Sequence, residues 1–409
     1  MLFSSLFAKT AEYEKLAHAL SAPGACALFG LPGSGRAMVY AALAKETGRF
    51  LCIVTPGEAE ATRFAGDLNA LGIPTAVFPA RDYVLRPIEG TAREYEYRRL
   101  SVLGDIVGGR LQAVCVPDDG LTQYTTPRAE FCNNTRTLHP GDTVPRTELT
   151  ALLYNAGYAR RAQVDGPGQF SIRGDIVDLY APDMKLPVRM EFWGDEIDTM
   201  HTFDLATQRR DDPIEKIYVS PAREVLFGSP TEAAELLRAF IKKFRGKKRT
   251  ALEACLATEL AQLDGGALPV NMDKYLAVRY PQPATLLDYF DDPLLVLEEP
   301  ASLREAERAT TYRRGEEISA LLQDGVLAAG LDNLYAEDGY LWAQAANHRT
   351  ICAENFARSM PDIPLKDIVN APAHTLPAWG GEVTSLLEDL QPLCNGGAAV
   401  TVLAGTQRA

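Results

Sequence analysis

The sequence has few of the residues that build disulfide frameworks and structural metal sites. Its 409 residues include only 7 cysteines and 5 histidines, which are scattered along the chain. No two cysteines form a CxxC pair. Small disulfide-bonded domains and structural zinc sites need cysteines that are dense or closely paired. The composition therefore predicts reduced cysteines and no bound metal.

Long apolar runs and an excess of positive charge are also missing. No apolar segment approaches the roughly 20 residues that span a bilayer, and no charged segment precedes the short apolar run at the N-terminus. These absences predict a cytoplasmic protein. The net charge of −13 disfavours nonspecific nucleic-acid binding outside a local basic patch. The run KKFRGKKR at 242–249 is such a patch; a solvated helix end is the favoured interpretation, and direct DNA binding is the alternative.

Short apolar segments alternate with helical patterns in the first part of the chain. The pattern predicts buried strands at 24–29, 50–55, 75–78 and 111–117. Strands that alternate with helices are typical of a parallel α/β sheet. Another apolar run, LLVLEEP at 294–300, predicts that the sheet resumes later in the chain. A Gly-flanked strand at 396–405 predicts that the sequence stops inside a further α/β domain.

Between these α/β segments the pattern changes to strands with a two-residue period. Residues 136–220 contain one helix, for which Thr147 is the expected N-cap, and several short strands separated by Gly, Pro and Asp turns. The chain becomes helical again at 231–265. The sequence therefore predicts an α/β domain that is discontinuous in sequence and carries an inserted α+β domain with an antiparallel sheet.

The segment GLPGSGRA follows the spacing of a phosphate-binding loop. Gly30, Gly33 and Gly35 lie between a predicted strand and a predicted helix, as in G-x-x-x-x-G-K-[ST], whose backbone amides bind phosphates. The lysine of such a loop neutralises phosphate charge, and its hydroxyl binds Mg²⁺. Arg36 and Ala37 stand at those two positions. The double substitution predicts a degenerate nucleotide-binding site without hydrolysis, and leaves anion binding open.

The acidic partner of a phosphate loop normally ends a buried strand. LLVLEEP places Glu298 and Glu299 in that context. Three interpretations are open: an acidic surface turn, a metal site that still functions, and the remnant of one. The acidic surface turn is the favoured interpretation.

Two predicted strands place an unusual set of side chains on one face. In FSIRG and VRMEFW, alternate residues point to opposite faces, so that the apolar ones cover a core. The opposite, exposed face then carries Arg173, Arg189, Glu191 and Trp193. Arg and Trp are enriched at the centres of protein interfaces, so this face predicts a protein-binding surface. The alternative is a solvated sheet in which the arginines merely pair with Glu191 and Asp175 and the tryptophan packs under a loop.

The segment 164–204, which contains both strands, resembles domain 2 of the nucleotide-excision-repair protein UvrB and of the transcription-repair coupling factor (Mfd) family. The similarity extends upstream through GLPGSGRA and VTPGEAEATRFAGDL, and downstream through IYVSPAREV and ATLLDYFDDPLLVLEEP. It covers roughly residues 10–370.

Departures from UvrB separate the two relatives. UvrB keeps the loop lysine and threonine, and it has an Asp-Glu-Ser-His motif where this chain has Glu298, Glu299, Pro300 and Ala301. UvrB also has a long aromatic β-hairpin, for which the segment 84–100 is too short and contains too few aromatic residues. The chain is therefore similar to the N-terminal UvrB-like module of the coupling factors.

This resemblance implies four parts. They are a degenerate nucleotide-binding-like domain 1A at 1–125, a UvrA-binding domain 2 at 126–220, a domain 1B at 221–370 that completes the α/β domain, and the start of a further α/β domain at 371–409.

The same resemblance implies a noncatalytic module that recruits UvrA. Arg173, Arg189 and Trp193 match the family's UvrA-contacting positions, with Glu191 beside them; the family commonly has Phe at the last of the three, and UvrB has a further arginine where Ser171 stands here. The full-length family also engages RNA polymerase, DNA and its own C-terminal domain. Its ATP is used only by motor domains, so no cofactor is expected here. The alternatives are a UvrB-like ATP-dependent damage-binding protein and a direct DNA-binding module.

Overall fold

The computed structural model describes residues 8–86, 93–360, 363–371, 382–397 and 400. Met1–Ala371 and Pro372–Ala409 form two compact units. The strands are β1 (Gly24–Phe29), β2 (Leu51–Thr55), β3 (Thr75–Val77), β4 (Ala113–Pro117), β5 (Arg136–Leu138), β6 (Ala159–Arg160), β7 (Gln169–Arg173), β8 (Ile176–Tyr180), β9 (Val188–Trp193), β10 (Glu196–Phe203), β11 (Arg210–Pro213), β12 (Ile217–Val219), β13 (Leu294–Glu298), β14 (Arg349–Glu354) and β15 (Leu365–Asn370).

Helices connect and cover these strands. They are α1 (Ala11–Ala19), α2 (Gly33–Thr47), α3 (Glu58–Ala70), α4 (Glu94–Val107), α5 (Asp118–Thr122), α6 (Arg128–Asn133), α7 (Arg146–Asn155), α8 (Pro230–Lys242), α9 (Gly246–Asp264), α10 (Leu276–Arg279), α11 (Pro300–Gln323), α12 (Tyr340–Asn347) and α13 (Val383–Asn395). Within the described ranges, no helix is both long and apolar enough to cross a membrane.

Seven strands form one parallel sheet in the order β15-β1-β14-β13-β2-β4-β3. Strand β13 pairs directly with β2, Leu294 opposite Leu51, so two distant parts of the chain share one sheet. Alternate residues of β2 enter separate apolar clusters on opposite sides of the sheet, Leu51 and Ile53 in one, Cys52 and Val54 in the other. Burial on both faces explains why these strands are continuous apolar runs. The predicted discontinuous α/β fold is confirmed.

The inserted module is built on a six-stranded sheet in the order β11-β10-β9-β8-β7-β6. The four strand pairs from β7 to β11 are antiparallel, as predicted. The short β6 pairs with β7 in parallel. Helix α7 packs its apolar side against one face of this sheet, where Leu149 and Leu153 join the cluster that contains Phe170 and Met190. A mixed α+β module is therefore confirmed, with a core of its own.

One sequence prediction is wrong, and two others fall partly on residues outside the described ranges. Thr147 is not the N-cap of α7, because the helix begins at Arg146 and Pro145 occupies the cap position. The strand predicted at 396–405 falls largely on residues outside the described ranges, as does the 87–92 part of the segment 84–100. The helices predicted at 231–265 are present as α8 and α9.

Candidate functional site

The loop after β1 and the end of β13 meet at the carboxyl edge of the parallel sheet, on either side of β14. Gly30 has φ +92°, and a Cβ there would lie 2.8 Å from the carbonyl oxygen of Ala371. Glycine is needed at that turn for both reasons. At Gly35 an added Cβ would make only ordinary contacts, the nearest at 3.5 Å, so close packing does not require glycine there. Gly33 begins α2, against the guanidinium of Arg63.

Arg36 does not face an open phosphate site. Its side chain is 3% exposed, with Nη1 2.7 Å from Oε1 of Glu299 and Nη2 3.3 Å from Oε2 of Glu298. Tyr40, one helical turn later, donates its hydroxyl to the other oxygen of Glu298 at 2.5 Å. The residue at the lysine position of the loop is thus used inside the protein, where it joins α2 to the end of β13.

Burial dominates the protonation behaviour of this ion pair. Glu298 is almost completely buried, which raises the pKa of its carboxyl to about 7 although Arg36 and the Tyr40 hydroxyl act in the opposite direction. The expected acidic surface turn is therefore wrong for Glu298, because a counter-charge from α2 lets the carboxylate enter the interior. Glu299 remains partly exposed, with φ +51°. Among the described residues no group of three His, Cys, Asp or Glu side chains could hold a metal ion.

A second candidate site is the face of the inserted sheet that carries the predicted interface residues. Strands β7 and β9 are both antiparallel to the β8 between them, so they run in the same direction. Each ends in a two-residue Gly-Asp turn, with φ +60° at Gly174 and +66° at Gly194. The last residues before these turns are Arg173 and Trp193. The two side chains are therefore presented at the same edge of the sheet.

The strand register places all four predicted residues on one side of this sheet. Arg173 is aligned with Ile176, and Ile176 with Glu191, so Arg173 and Glu191 share a row. Trp193 lies two residues after Glu191 on the same strand, about 7 Å closer to the turns. Arg189 lies two residues before Glu191. We call Arg173, Arg189, Glu191 and Trp193 the outer face.

Trp193 is the most exposed member of the outer face. Its accessible fraction is 84%, a large value for an indole next to a hairpin turn. Single exposed apolar residues are common, but an exposed tryptophan on the same face as an arginine has the composition of an interface anchor. The alternative in which this tryptophan packs under a loop is wrong.

The two arginines of the outer face converge on one carboxylate. Arg189 donates Nε and Nη2 to the two oxygens of Asp178, at 2.7 and 2.9 Å, and Arg173 donates Nη2 to one of them at 2.5 Å. Asp178 is completely buried although it lies on the outer side of the sheet, because both guanidinium groups pack over it. The Asp178 hydrogen bond raises the pKa of Arg189.

The two acids that the sequence suggested as partners of these arginines pair with other residues. Glu191 pairs with Arg210 of β11, and Asp175 pairs with Arg146 at 2.6 Å. The predicted alternative, in which the two arginines pair with Glu191 and Asp175, is therefore wrong in its partners. Arg189 is also less exposed than predicted, with 12% of its side chain accessible against 45% for Arg173.

Asp178 is the residue that the sequence interpretation missed. The segment DIVDLY has the same two-residue period as its neighbours, which places Asp178 opposite the buried Val177 and Leu179. An outward-facing acid would normally be assigned to solvent. The signal that could have identified it is its register, one strand from each arginine.

The basic run 242–249 lies where α8 ends and α9 begins. Most of its side chains are exposed, and Arg249 pairs with Glu253 one turn later at 2.8 Å. The run is separate from the outer face in sequence and belongs to the helical region rather than to the inserted sheet.

Known proteins match the part of the chain that carries the outer face. The UvrB interaction domain family matches residues 137–225, a range that includes β6 to β12 and all but the first residue of β5. All residues of the outer face and Asp178 lie inside this match.

Similar full-length proteins are transcription-repair-coupling factors. The one from Bacillus subtilis (strain 168) is 26% identical over 375 residues, which cover 89% of this chain and 32% of the relative. Those from Staphylococcus epidermidis RP62A and Staphylococcus aureus MRSA252 are 23% and 24% identical over 391 residues, 92% of this chain. The chain spans about a third of the length of these relatives. The chain therefore matches the UvrB interaction domain family over 137–225 and is homologous, over about nine-tenths of its length, to transcription-repair-coupling factors.

Proposed function

We propose that this chain is a noncatalytic module that recruits UvrA, as part of a transcription-repair coupling factor of the bacterial cytoplasm. The observation that carries the proposal is the outer face, where Trp193 and Arg173 are both exposed within the segment that matches the UvrB interaction domain family. A partner surface that fits it is acidic and partly apolar. UvrA is the partner that the family resemblance suggests.

The larger role follows from the relatives. A module that holds UvrA, attached to a segment that engages a stalled RNA polymerase, would bring the repair machinery to the lesion. The family resemblance implies that a C-terminal domain masks the same face in a full-length protein and that separate motor domains use ATP; this chain corresponds to 32% of the Bacillus subtilis relative.

The absence of catalysis in this module is part of the proposal. Arg36 is bound to Glu298 and Glu299, and Ala37, at the Mg²⁺-ligand position, is buried in the apolar core. A nucleotide phosphate would have to break that ion pair without gaining a metal ligand. We expect no ATP turnover above background; turnover that depends on Mg²⁺ would support a UvrB-like ATPase instead.

Calorimetric titration of UvrA tests the recruitment surface directly. Arg173→Ala and Arg189→Ala should each weaken binding by about 1–3 kcal/mol, as charged interface residues do. The matched control is Arg238→Ala, because Arg238 is an exposed arginine paired with Asp264 outside the inserted sheet. Equal affinities for wild type and both outer-face variants would rule out this surface.

A direct DNA-binding role makes a different prediction. Affinity carried by the exposed run 242–249 would fall steeply with salt and would not depend on Trp193.

A further inference from the structure

The two arginines of the outer face are held in different ways. Arg189 uses Nε and Nη2 on Asp178 and donates Nη1 to the carbonyl oxygen of Gln208 at 3.2 Å. Its guanidinium carbon lies 4.7 Å from the centre of the Phe203 ring. Arg173 makes one ion pair, from Nη2 to Asp178, and its other donors have no partner among the described residues. The Arg189 guanidinium is therefore held by Asp178, Gln208 and the Phe203 ring, whereas the Arg173 guanidinium is held by one hydrogen bond from Nη2 to Asp178.

We propose that Asp178 gives the two arginines different roles, an inference that rests on the proposed function. Arg189 is a positioning residue that fixes the buried carboxylate, and Arg173 presents its guanidinium to an acidic group of the partner. One negative charge shared by two cations leaves a net charge of +1. The Arg173 guanidinium is more exposed than that of Arg189, so this positive charge is available to a partner at Arg173.

The energetic asymmetry favours movement of Arg173 over movement of Arg189. If the Arg189 side chain turned toward a partner, the fully buried carboxylate of Asp178 would lose its bidentate ion pair. Leaving a buried charge without that counter-ion destabilises the fold. If Arg173 turns, Asp178 keeps both bonds from Arg189. A planar guanidinium that binds both carboxylate oxygens is also a geometry that lysine cannot reproduce. Arg173 can thus exchange Asp178 for a carboxylate of the partner without leaving a buried charge unpaired.

Chemical modification of arginine by phenylglyoxal, read by peptide mass spectrometry, tests this assignment. In the free chain Arg173 should react about fourfold faster than Arg189, in proportion to exposed fractions of 45% and 12%. Saturating UvrA should slow the reaction of Arg173 and leave the slow rate of Arg189 unchanged. Arg238 serves as the internal reference, since its exposed pair lies outside the inserted sheet.

The variant Asp178→Asn separates positioning from direct contact. Loss of the carboxylate charge should release Arg189, so that its modification rate rises toward that of Arg173. The proposal is overturned if Arg189 reacts as fast as Arg173 in the wild-type free chain, or if UvrA protects Arg189 and not Arg173. These comparisons within the wild type remain decisive if the variant does not fold.

Failure of the proposed function would look different. UvrA would then protect neither arginine and would leave Trp193 fluorescence unchanged. The relative rates of Arg173 and Arg189 in the free chain would still decide whether Asp178 holds them as proposed.

Discussion

Trp193→Ala is expected to weaken UvrA binding by about 2–4 kcal/mol, a 30- to 1000-fold loss, because aromatic anchors carry most of the energy at interfaces. The indole is 84% exposed in the free chain, so most of its apolar surface is still available for burial by a partner. Its place before the turn at Gly194 lets it project past the sheet edge. Calorimetry or surface-based binding with purified UvrA measures the loss.

The stability of the chain should not change in the same variant. An exposed side chain contributes little to folding, so the free energy of unfolding should stay within about 0.5 kcal/mol of wild type. Tyr312→Ala is the matched control, since Tyr312 is also largely exposed but lies on α11. Trp193→Phe should retain most of the affinity, since the family commonly has Phe there. Wild-type affinity in Trp193→Ala would exclude the indole as an anchor.

Arg36→Met is expected to produce the largest loss of stability, about 3–5 kcal/mol, because it leaves a buried carboxylate without its counter-ion. Among the described residues, Glu298 would keep the hydrogen bond from the Tyr40 hydroxyl and the more distant charge of Arg63. Urea denaturation followed by circular dichroism measures the change. The control Arg238→Met breaks an exposed pair with Asp264 and should cost no more than about 1 kcal/mol.

A second variant tests whether the charge, rather than the shape, is responsible. Arg36→Met combined with Glu298→Gln removes both charges, and most of the lost stability should return. An Arg36→Met protein as stable as the control variant would mean that the ion pair is not needed for the fold.

The stability loss in Arg36→Met should also depend on pH. The pKa of Glu298 is raised to about 7 in the folded chain, against about 4.3 in an unfolded one. Its protonation therefore stabilises the fold, fully below about pH 4.3, and this contribution is lost as pH rises through about 7. Without Arg36 the pKa of Glu298 rises further. The difference between variant and wild type should consequently be larger at pH 8 than at pH 6, and a constant difference would contradict the assignment.

Much of the fold could be predicted because local pattern and tertiary environment agree. The runs at β1, β2, β4 and β13 are almost entirely apolar because helices cover both faces of the parallel sheet, and such runs are recognisable in a sequence. The two-residue period of β7 and β9 likewise identifies which side chains face away from the core. These features depend on neighbours a few residues away.

The sequence by itself determined the α/β and α+β character of the chain and the set of side chains on the outer face. It did not determine what those charges bind. The partners of Arg36 lie more than 260 residues away in the chain, and Asp178 reaches the two arginines only through strand pairing. Whether a charge faces water or an opposite charge depends on which distant segments the fold brings within about 4 Å. Only the tertiary structure therefore decided that Arg36 is used internally, and that Arg173 rather than Arg189 remains exposed.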